Sequence, residues 1–321
     1  MNGAIKVSVI CLTHNHEKYI RQALLGIVNQ NVCFNYEIIV CDDASTDKTK
    51  EIVEEFMEQH PGIINIINNE IRVGGAMNAY KAMKLARGEY IASCEGDDFW
   101  IDTHKLQEQV EFLDENPSFV GCTHDVLLVK EDGSRRFGQH VSWISKKRVY
   151  GPKDFKGLYL PGHGSTWVRR NLYLVEGFDG SFIVEADKNI ADRTNVLLWL
   201  AYGDFYKMKG KKSAYRIGNK KNSSVTTELY KRGRKGILYD YNYTKNLEYY
   251  AQENMDIAID FTYQKMNLFA KAILKCLVER GSENKRASKL IFEEARCKVK
   301  YLLYLPYFMF KKVICVLIRG V

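Results

Sequence analysis

Short apolar runs alternate with segments of helical periodicity in the N-terminal part of the chain. The runs cover residues 5–12, 36–41, 63–67 and 90–94, and each has the length of a β-strand. Between them, apolar residues recur three and four positions apart, as in helices that pack one face on a core. Strands and helices that alternate in this way indicate βαβ units and a parallel sheet. The pattern therefore predicts an α/β fold, whose ligands would bind beyond the carboxyl ends of the strands.

The middle of the chain shows fewer segments of clear periodicity. Its pattern predicts helices over residues 102–114 and 192–201, and strands over residues 119–129 and 166–169. Residues 134–160 carry no regular pattern, so no element is predicted there. No internal repeat or low-complexity linker separates these elements, and we assign them all to one domain.

The composition changes beyond Gly236, where the sequence becomes helical in pattern and rich in tyrosine and lysine. At 321 residues the chain is long enough for one large α/β domain and an appendage. We therefore predict an α/β domain over residues 1–235 and a helical extension over residues 236–321. The domain would consist of a first half at about 1–115 and a second half at about 116–235.

The segment 298–321 mixes aromatic, basic and apolar side chains. Pro306, Lys311 and Lys312 interrupt it, whereas a membrane-spanning helix needs about 20 predominantly apolar residues. We expect instead an amphipathic, basic tail that lies on the surface of an anionic membrane. A helix docked on its own domain, or on a second copy in a homo-oligomer, is the alternative.

The net charge of +8 is unevenly distributed, because lysine and arginine crowd residues 207–235. Such basic density suits phosphate-rich partners, namely nucleic acid, anionic lipid or a phosphorylated substrate, although a plain solvated surface is an equal alternative. Neither a zinc-finger pattern nor an aromatic RNA-binding signature accompanies it, so no nucleic-acid partner is expected.

The eight cysteines are scattered and form no close pair, so neither a zinc site nor a disulfide framework is indicated. Reduced thiols in the cytoplasm are the simplest account. No basic region precedes an apolar one at the N-terminus, and no signal peptide is expected. We therefore expect a cytoplasmic protein, with the tail offering peripheral attachment to the inner face of the cytoplasmic membrane.

Three carboxylates follow the fourth predicted strand within four positions, those of Glu95, Asp97 and Asp98. Side chains packed this closely repel one another at neutral pH unless a divalent cation lies among them. Hard cations such as Mg²⁺ or Mn²⁺ prefer oxygen ligands and keep positions open for substrate phosphates. The spacing indicates a metal-dependent enzyme that acts on a phosphorylated substrate. The alternative is an acidic loop that caps a helix beginning near Asp102.

Polar side chains also follow two of the other predicted strands. Thr13 and Asn15 come after the first strand, and Asp42 and Asp43 come after the second. Because the carboxyl ends of parallel strands meet at one edge of a sheet, we expect these residues to converge with the acidic set.

These ordered motifs resemble those of the family 2 glycosyltransferases, GT-A-fold enzymes that move a sugar from a nucleotide diphosphate. The resemblance covers about residues 6–208, and it implies a Rossmann-like, mostly parallel sheet flanked by helices, with a C-terminal helical extension. It rests on the segments VSVICLTHNHEKYI at 7–20, EIIVCDDASTDKT at 37–49, ARGEYI at 86–91 and EGDD at 95–98.

The resemblance implies that the EGDD segment is the family's metal-binding acidic motif. Asp98 would bind Mn²⁺ or Mg²⁺ bridging both phosphates, and Asp97 would serve the ribose or the same metal. Glu95 stands where the family usually has aspartate, and its extra methylene moves the carboxylate.

The resemblance also implies that the half at about 1–115 binds the nucleotide, around the first two strands, and that the half at about 116–235 binds the acceptor. Asp42 or Asp43 would accept a hydrogen bond from the base, with the Thr13 loop on the other side of the ring. The residues implied in nucleotide-sugar binding are Thr13, Asn15, Asp42, Asp43, Glu95 and Asp97.

A fourth segment, DRTNVLLWLAYG at 192–203, looks like the family's second acidic motif. Inverting glycosyl transfer needs a carboxylate that takes the proton from the acceptor hydroxyl. Asp192 matches that catalytic base, and the dipole of its helix would favour the ionised form. A simple N-cap aspartate is the alternative. Glu185 and Asp187 are nearby alternatives for the base.

His163 and Arg169 are candidates for contacts with the acceptor or the diphosphate. The alternatives are a structural histidine for His163 and a surface position for Arg169. Tyr215-Arg216 and Ser223-Ser224-Val225 resemble the loop that closes over donor or acceptor in many relatives.

The sequence thus predicts an inverting, metal-dependent hexosyl- or N-acetylhexosaminyl-transferase of the bacterial surface-polysaccharide type. The commonest donor in the family is a UDP-sugar, and the acceptor would be a saccharide or a lipid-linked saccharide. One rival is a nucleotidyltransferase, although residues 13–16 contain neither the glycine nor the lysine of a phosphate loop. The other is a GT-A-like binding module without activity, against which Asp98 and Asp192 argue.

Overall fold

The structure is a computed structural model that describes residues 3–137, 141–217, 236–255, 259–278 and 282–319. It divides into two compact units. The first comprises Met1–Asp154 and Tyr159–Lys221, and the second comprises Phe155–Leu158 and Asn222–Val321. The domain boundary at 235/236 stays a prediction, and Ser223-Ser224-Val225 and the lysines and arginines at 220–235 lie outside the described residues.

Within the described part of the chain, the first unit is built on a mixed sheet of nine strands. The order is β3-β2-β1-β4-β8-β6-β9-β5, and β7 pairs with β9. The strands are β1 (Val7–Thr13), β2 (Tyr36–Asp42), β3 (Ile64–Asn68), β4 (Tyr90–Ser93), β5 (Phe99–Trp100), β6 (Phe119–Val129), β7 (Val149–Tyr150), β8 (Val168–Arg170) and β9 (Asp204–Arg216).

The four strands predicted in the N-terminal part all form, with bounds within two residues of those expected. β1 pairs in parallel with β2 and β4, and β2 pairs in parallel with β3. Val9 lies opposite Ile38 on one side and Ala92 on the other, and all three are buried. These strands are apolar along their length because helices cover both faces of a parallel sheet. The α/β fold is therefore present as expected.

The second half of the sheet departs from parallel pairing. β8 lies antiparallel between β4 and β6, whereas β6 and β9 are parallel. Strand β9 was not predicted, because Lys207, Lys209, Lys211 and Lys212 obscure its alternation. Of these, Lys212 is buried and pairs with Asp102 at 2.7 Å, so part of the basic stretch is neutralised within the unit.

Six helices of the first unit complete the layers on the sheet. They are α1 (Ile20–Val28), α2 (Thr49–Gln59), α3 (Gly75–Leu85), α4 (Lys105–Glu115), α5 (Phe182–Ala186) and α6 (Asp192–Leu200). Apolar faces of α1, α2 and α4 form one core with β1, β2 and β4. Helix α4 begins at Lys105 rather than at 102, because the Asp102 carboxylate accepts from the His104 N–H at 2.8 Å and closes a turn there.

A buried carboxylate fixes the amino ends of the strands. Glu37, on β2, accepts from the Ser8 hydroxyl at 2.7 Å and from the backbone and side-chain N–H groups of Arg87. Burial would raise the pKa of Glu37, but the hydrogen bonds from Arg87 and Ser8 outweigh burial and hold it below its ordinary 4.5. The ionised form is therefore stabilised in the folded chain.

Replacing Glu37 by glutamine is expected to lower the free energy of unfolding by about 1–3 kcal/mol at neutral pH. Because the folded-state pKa is lowered, the wild-type advantage is present above the unfolded value and disappears as pH falls through the folded value. Urea unfolding at neutral and acid pH measures this difference. Glu54→Gln, an exposed carboxylate on α2, is the control with little effect. A Glu37→Gln deficit that is the same at both pH values would contradict the account.

The second unit is helical where it is described, in agreement with the predicted extension. Its core joins Tyr241, Leu268, Phe269 and Tyr301. Among the described residues, no helix combines the length and the apolar character needed to cross a membrane. The helices are α7 (Ile237–Asn254), α8 (Thr262–Val278), α9 (Ser282–Glu293) and α10 (Lys298–Arg319).

Candidate functional site

The carboxyl ends of β2, β1 and β4 lie side by side, and the three predicted polar sets meet there. The Asp43 N–H donates to the Thr13 carbonyl at 2.9 Å. The Gly96 N–H donates to the Leu12 carbonyl, also at 2.9 Å. These two bonds join the loops that follow the strands, so the residues predicted from three separate segments share one edge of the sheet.

Glycine at position 96 allows the acidic segment to approach the β1 loop. A Cβ atom there would lie 2.9 Å from the Thr13 hydroxyl and 2.8 Å from His16 Nδ1. The Thr13 hydroxyl is buried and has no hydrogen-bond partner among the described residues. Buried polar atoms are normally satisfied, so this hydroxyl indicates a position for a ligand group or a water molecule.

Asn15 and Asp42 shape the loop after β2. Asn15 has a φ of 55°, and its side-chain oxygen accepts from the Thr46 N–H at 2.8 Å. The Asp42 carboxylate accepts from the Ser45 N–H at 2.8 Å. Both side chains therefore have partners within the loop, and their predicted contacts with a nucleotide stay predictions.

Asp43 links the same loop to the start of α3. Its carboxylate oxygens accept separately from the N–H groups of Val73, at 2.7 Å, and Gly74, at 3.0 Å. Arg72 Nε also lies 3.8 Å from Asp43 Oδ2, as an ion pair. Each oxygen of an ionised carboxylate has two lone pairs, so Oδ1 can accept from a further donor. Asp43 thus keeps the capacity to accept a hydrogen bond from a base, as predicted for Asp42 or Asp43.

One carboxylate oxygen from each of Glu95, Asp97 and Asp98 lies within 4.8 Å of the other two. Asp98 is 2% exposed, and its Oδ1 accepts from the Arg216 N–H at 3.0 Å. Its Oδ2 has no hydrogen-bond partner among the described residues and lies 3.4 Å from His163 Nδ1. Burial, followed by repulsion from Asp97 and Glu95, raises the pKa of Asp98 well above its usual range. The carboxylates therefore repel one another, and a positive charge placed among them would favour their ionised forms.

This donor set fits a hard divalent cation. It consists of closely spaced carboxylate oxygens, one of them buried and unsatisfied, which are the ligands that Mg²⁺ and Mn²⁺ prefer. The alternative of a helix-capping loop does not fit, because strand β5 and the turn at Asp102 separate the cluster from α4. Among the residues present, Asp98, Asp97 and Glu95 could hold the metal.

Asp192 lies at the start of α6, close enough to the cluster to interact electrostatically with it. Burial raises the pKa of Glu95, and repulsion from Asp192 is the next largest cause. Burial also raises the pKa of Asp192, and Arg193 and Arg169 partly offset this. The N-cap position of α6 is Ala191, so the alternative of a simple N-cap aspartate is wrong. The arrangement brings a second acidic position near the carboxylates of Glu95, Asp97 and Asp98.

The two alternative bases have local roles in the segment before α6. Glu185 is exposed on α5 and accepts from the Ser181 hydroxyl at 3.0 Å. The Asp187 carboxylate accepts from the N–H groups of Asn189 and Ile190, at 2.7 and 2.9 Å. Both carboxylates act in local turns, which leaves Asp192 as the better candidate for the base.

His163 lies directly beside the acidic cluster. Its ring is 6% exposed, stacks on Tyr215 with centroids 4.0 Å apart, and accepts from the Ser165 N–H at 3.3 Å. Burial lowers the pKa of His163 to about 3, so the ring is neutral at physiological pH. His163 is therefore a buried histidine with structural contacts, which was the alternative. Its contact with the acceptor or the diphosphate stays a prediction.

Arg169 lies in the interior rather than on the surface. Its guanidinium carbon lies 4.1 Å from the centroid of the Trp199 ring. Its Nε and Nη1 have no hydrogen-bond partner among the described residues. Burial lowers the pKa of Arg169 to about 10, while Tyr173 and Asp192 act in the opposite direction. A buried, charged side chain with two free donors is suited to holding an anion or the Asp192 carboxylate.

Arg216 is a residue whose importance the sequence did not reveal. Its backbone binds Asp98, and its Nε donates to the Asp97 carbonyl at 2.9 Å, across 119 residues of sequence. Its Nη1 donates to the Glu131 carbonyl at 2.6 Å, and its guanidinium stacks on Tyr19 at 4.6 Å. The sequence indicated only that Tyr215-Arg216 resembles a loop that closes over donor or acceptor in relatives. That resemblance does not predict the contacts of Arg216 with Asp97 and Asp98.

The sequence of residues 8–174 matches the model of the family described as glycosyl transferase family 2. That span is more than half of the chain. The chain belongs to glycosyl transferase family 2. The matched span contains the acidic cluster and His163 but ends before Asp192, so membership of the family does not by itself assign the base.

Two curated relatives illustrate the similarity. An uncharacterised protein of Mycobacterium tuberculosis is 40% identical over 129 residues, which cover 40% of this chain and 37% of that protein. The Escherichia coli UDP-Glc:alpha-D-GlcNAc-diphosphoundecaprenol beta-1,3-glucosyltransferase WfgD is 34% identical over 122 residues, or 38% of this chain and 46% of WfgD. This family 2 chain therefore aligns with less than half of the length of either relative.

A solved structure shares the fold. Staphylococcus aureus TarS 1-349, in complex with UDP-GlcNAc, superposes with a TM-score of 0.62 over 90% of this chain and 80% of that one. The sequence identity is 16%, so the likeness concerns the fold alone. The α/β architecture of a family 2 glycosyltransferase is thereby supported independently of the sequence motifs.

Proposed function

We propose that the chain is a metal-dependent, inverting glycosyltransferase that moves a hexosyl or N-acetylhexosaminyl group from a UDP-sugar to an acceptor hydroxyl. The observation that carries the proposal is the closely spaced set of Glu95, Asp97 and Asp98 carboxylates, together with Asp192 near enough to repel Glu95. A metal site and a separate carboxylate are the two elements that such a transfer requires.

The choice of donor rests on the relatives. WfgD is named for a UDP-Glc donor, and TarS was solved with UDP-GlcNAc. The nucleotide base would lie between the Thr13 loop and Asp43, where the buried Thr13 hydroxyl and the Asp43 carboxylate offer hydrogen-bonding positions. The ribose and diphosphate would then extend towards Asp97 and Asp98.

Different residues of the chain would bind the metal and accept the proton. Asp98 and Asp97, with Glu95 beside them, would hold Mn²⁺ or Mg²⁺, and the cation would supply positive charge to the departing diphosphate. Asp192 would accept the proton of the acceptor hydroxyl while that oxygen attacks the anomeric carbon opposite the diphosphate. Attack from that side inverts the configuration. Arg169, buried with two free donors, would oppose the rise in the pKa of Asp192 that burial causes, or would contact the diphosphate.

For the acceptor we propose a lipid-linked saccharide. WfgD is named for an acceptor attached to diphosphoundecaprenol. Such a substrate would place the reaction at the cytoplasmic face of the membrane, and helix α10 (Lys298–Arg319) offers a basic, apolar surface for peripheral attachment. Synthesis of a bacterial surface polysaccharide is the process that fits this pair of substrates.

A thermal-shift panel of nucleoside diphosphates and triphosphates, with Mn²⁺ and with a chelator, tests the proposal. UDP with Mn²⁺ is expected to raise the melting temperature by several degrees, because a bound ligand stabilises the folded chain by mass action. The chelator should remove most of that shift. A preference for triphosphates would favour a nucleotidyltransferase, and no shift with any nucleotide would favour an inactive binding module.

A further inference from the structure

Helix α10 presents two apolar faces, only one of which is covered within its unit. Tyr301 is 3% exposed and packs on Phe269, with ring centroids 5.8 Å apart. Phe308 is 1% exposed and packs on Tyr263, with centroids 5.0 Å apart. These residues are seven positions apart, about two helical turns, so they define the face that lies on α8.

The opposite face carries large apolar side chains that the rest of the unit leaves exposed. Leu303 is 71% exposed and Phe310 is 67% exposed. The spacing of this set follows i, i+3, i+4, i+7, i+8 and i+11, which places all members on one side of a helix. We call it the outer face of α10, and its residues are Val299, Leu302, Leu303, Pro306, Tyr307 and Phe310.

The charge of α10 distinguishes between two possible partners for this face, a second copy of the chain and an anionic membrane. Lys298 and Lys300 are exposed in its first turn, and α10 contains no acidic residue. Lys311, at the level of Phe310, donates to the Tyr263 hydroxyl at 2.8 Å. A second copy docked through the same face would bring two basic helices together, which electrostatic repulsion opposes. An anionic lipid surface complements the lysines and accepts the apolar side chains.

Pro306 supports a position at the interface rather than in the hydrocarbon core. Proline has no N–H, so the Leu302 carbonyl lacks its usual partner four residues later in the helix. Both residues belong to the outer face. An unsatisfied carbonyl is costly in hydrocarbon but can bind water at the level of the lipid headgroups.

We propose that the outer face of α10 binds the surface of a membrane rich in anionic lipid. The apolar side chains enter the boundary between headgroups and acyl chains, and Lys298 and Lys300 contact the phosphates. This inference rests on the membrane attachment named in the proposed function and assigns it to one face of α10. Its test is independent of glycosyl transfer, because binding to vesicles requires neither donor nor acceptor. Failure of the transferase proposal would therefore leave it standing.

The test is co-sedimentation of the full chain with vesicles of phosphatidylcholine and phosphatidylglycerol in equal parts, and with phosphatidylcholine alone. Leu303→Ser/Phe310→Ser should weaken binding to the anionic vesicles by about tenfold or more, because it removes two apolar side chains that membrane binding would bury in the lipid. Leu85→Ser/Leu174→Ser is the matched control, since these leucines are 57% and 59% exposed in the first unit. That control should bind like the wild type.

A charge variant provides a second, independent measurement. Lys298→Gln/Lys300→Gln should weaken binding to the anionic vesicles by about fivefold for each lysine, and should leave the weak binding to phosphatidylcholine unchanged. Wild-type binding should also fall as salt is added. Absence of wild-type binding to anionic vesicles, or equal binding by the outer-face variant, would overturn the proposal. Conversion of a dimer to a monomer by the outer-face variant, without any vesicle binding, would assign the face to a second copy.

Discussion

Replacing Asp98 by asparagine is expected to reduce the affinity for UDP in the presence of Mn²⁺ by about a hundredfold or more. Asparagine has nearly the same volume, and its side-chain oxygen can still accept from the Arg216 N–H that Oδ1 now binds at 3.0 Å. The substitution therefore removes the negative charge and the unsatisfied Oδ2 with little disturbance of the packing. Calorimetry of UDP binding, with Mn²⁺ and with a chelator, separates the metal-dependent part of the affinity.

Asp102→Asn is the matched control for this experiment. Asp102 lies four residues later and pairs with Lys212 at 2.7 Å, away from the cluster. Its replacement should reduce stability slightly and leave the metal-dependent part of the UDP affinity intact. If Asp98→Asn kept the full metal dependence, Asp98 would not be a metal ligand, and the cluster would have to act through Glu95 and Asp97.

The second large effect is expected at Asp192. Asp192→Asn should lower turnover by roughly two to four orders of magnitude, the usual contribution of a positioned general base. The affinity for the donor should change little, because Asp192 is proposed to contact the acceptor hydroxyl rather than the nucleotide. A loss in kcat at unchanged donor affinity is the signature of an interaction made in the transition state.

Glu185→Gln serves as the control, since Glu185 is an exposed carboxylate with a local hydrogen bond to Ser181. It should retain wild-type turnover. Near-normal turnover in Asp192→Asn would transfer the role of base to Asp187 or another group. A collapse of donor binding together with turnover would instead mean that Asp192 maintains the structure of the site, and the melting temperature would reveal this.

Much of the first half of the domain, at about 1–115, could be predicted from the sequence for a simple reason. Its strands are buried on both faces, so β1, β2 and β4 appear as continuous apolar runs. Parallel strands end at a common edge, so the polar residues that follow them had to converge. The convergence of the Thr13 loop, Asp43 and the acidic cluster follows from these two rules.

The second half could not be predicted in the same way. Strand β9 is lined by lysines, one of which is neutralised by contacts with Asp102 and Glu108 that no local pattern indicates. Arg216 binds Asp97 and Asp98 across more than a hundred residues, and only the folded chain brings them together. The two faces of α10 were likewise indistinguishable in sequence, because both are aromatic and apolar.

The central claim is that the acidic cluster supports metal-dependent transfer from a nucleotide-sugar. The most direct test is the release of nucleoside diphosphate from a panel of UDP-, GDP- and dTDP-sugars, measured with Mn²⁺ and with a chelator. The account predicts release from a UDP-sugar that requires the metal, is absent in Asp98→Asn and is strongly reduced in Asp192→Asn. Release that the chelator does not diminish, or that survives in both variants, would contradict it.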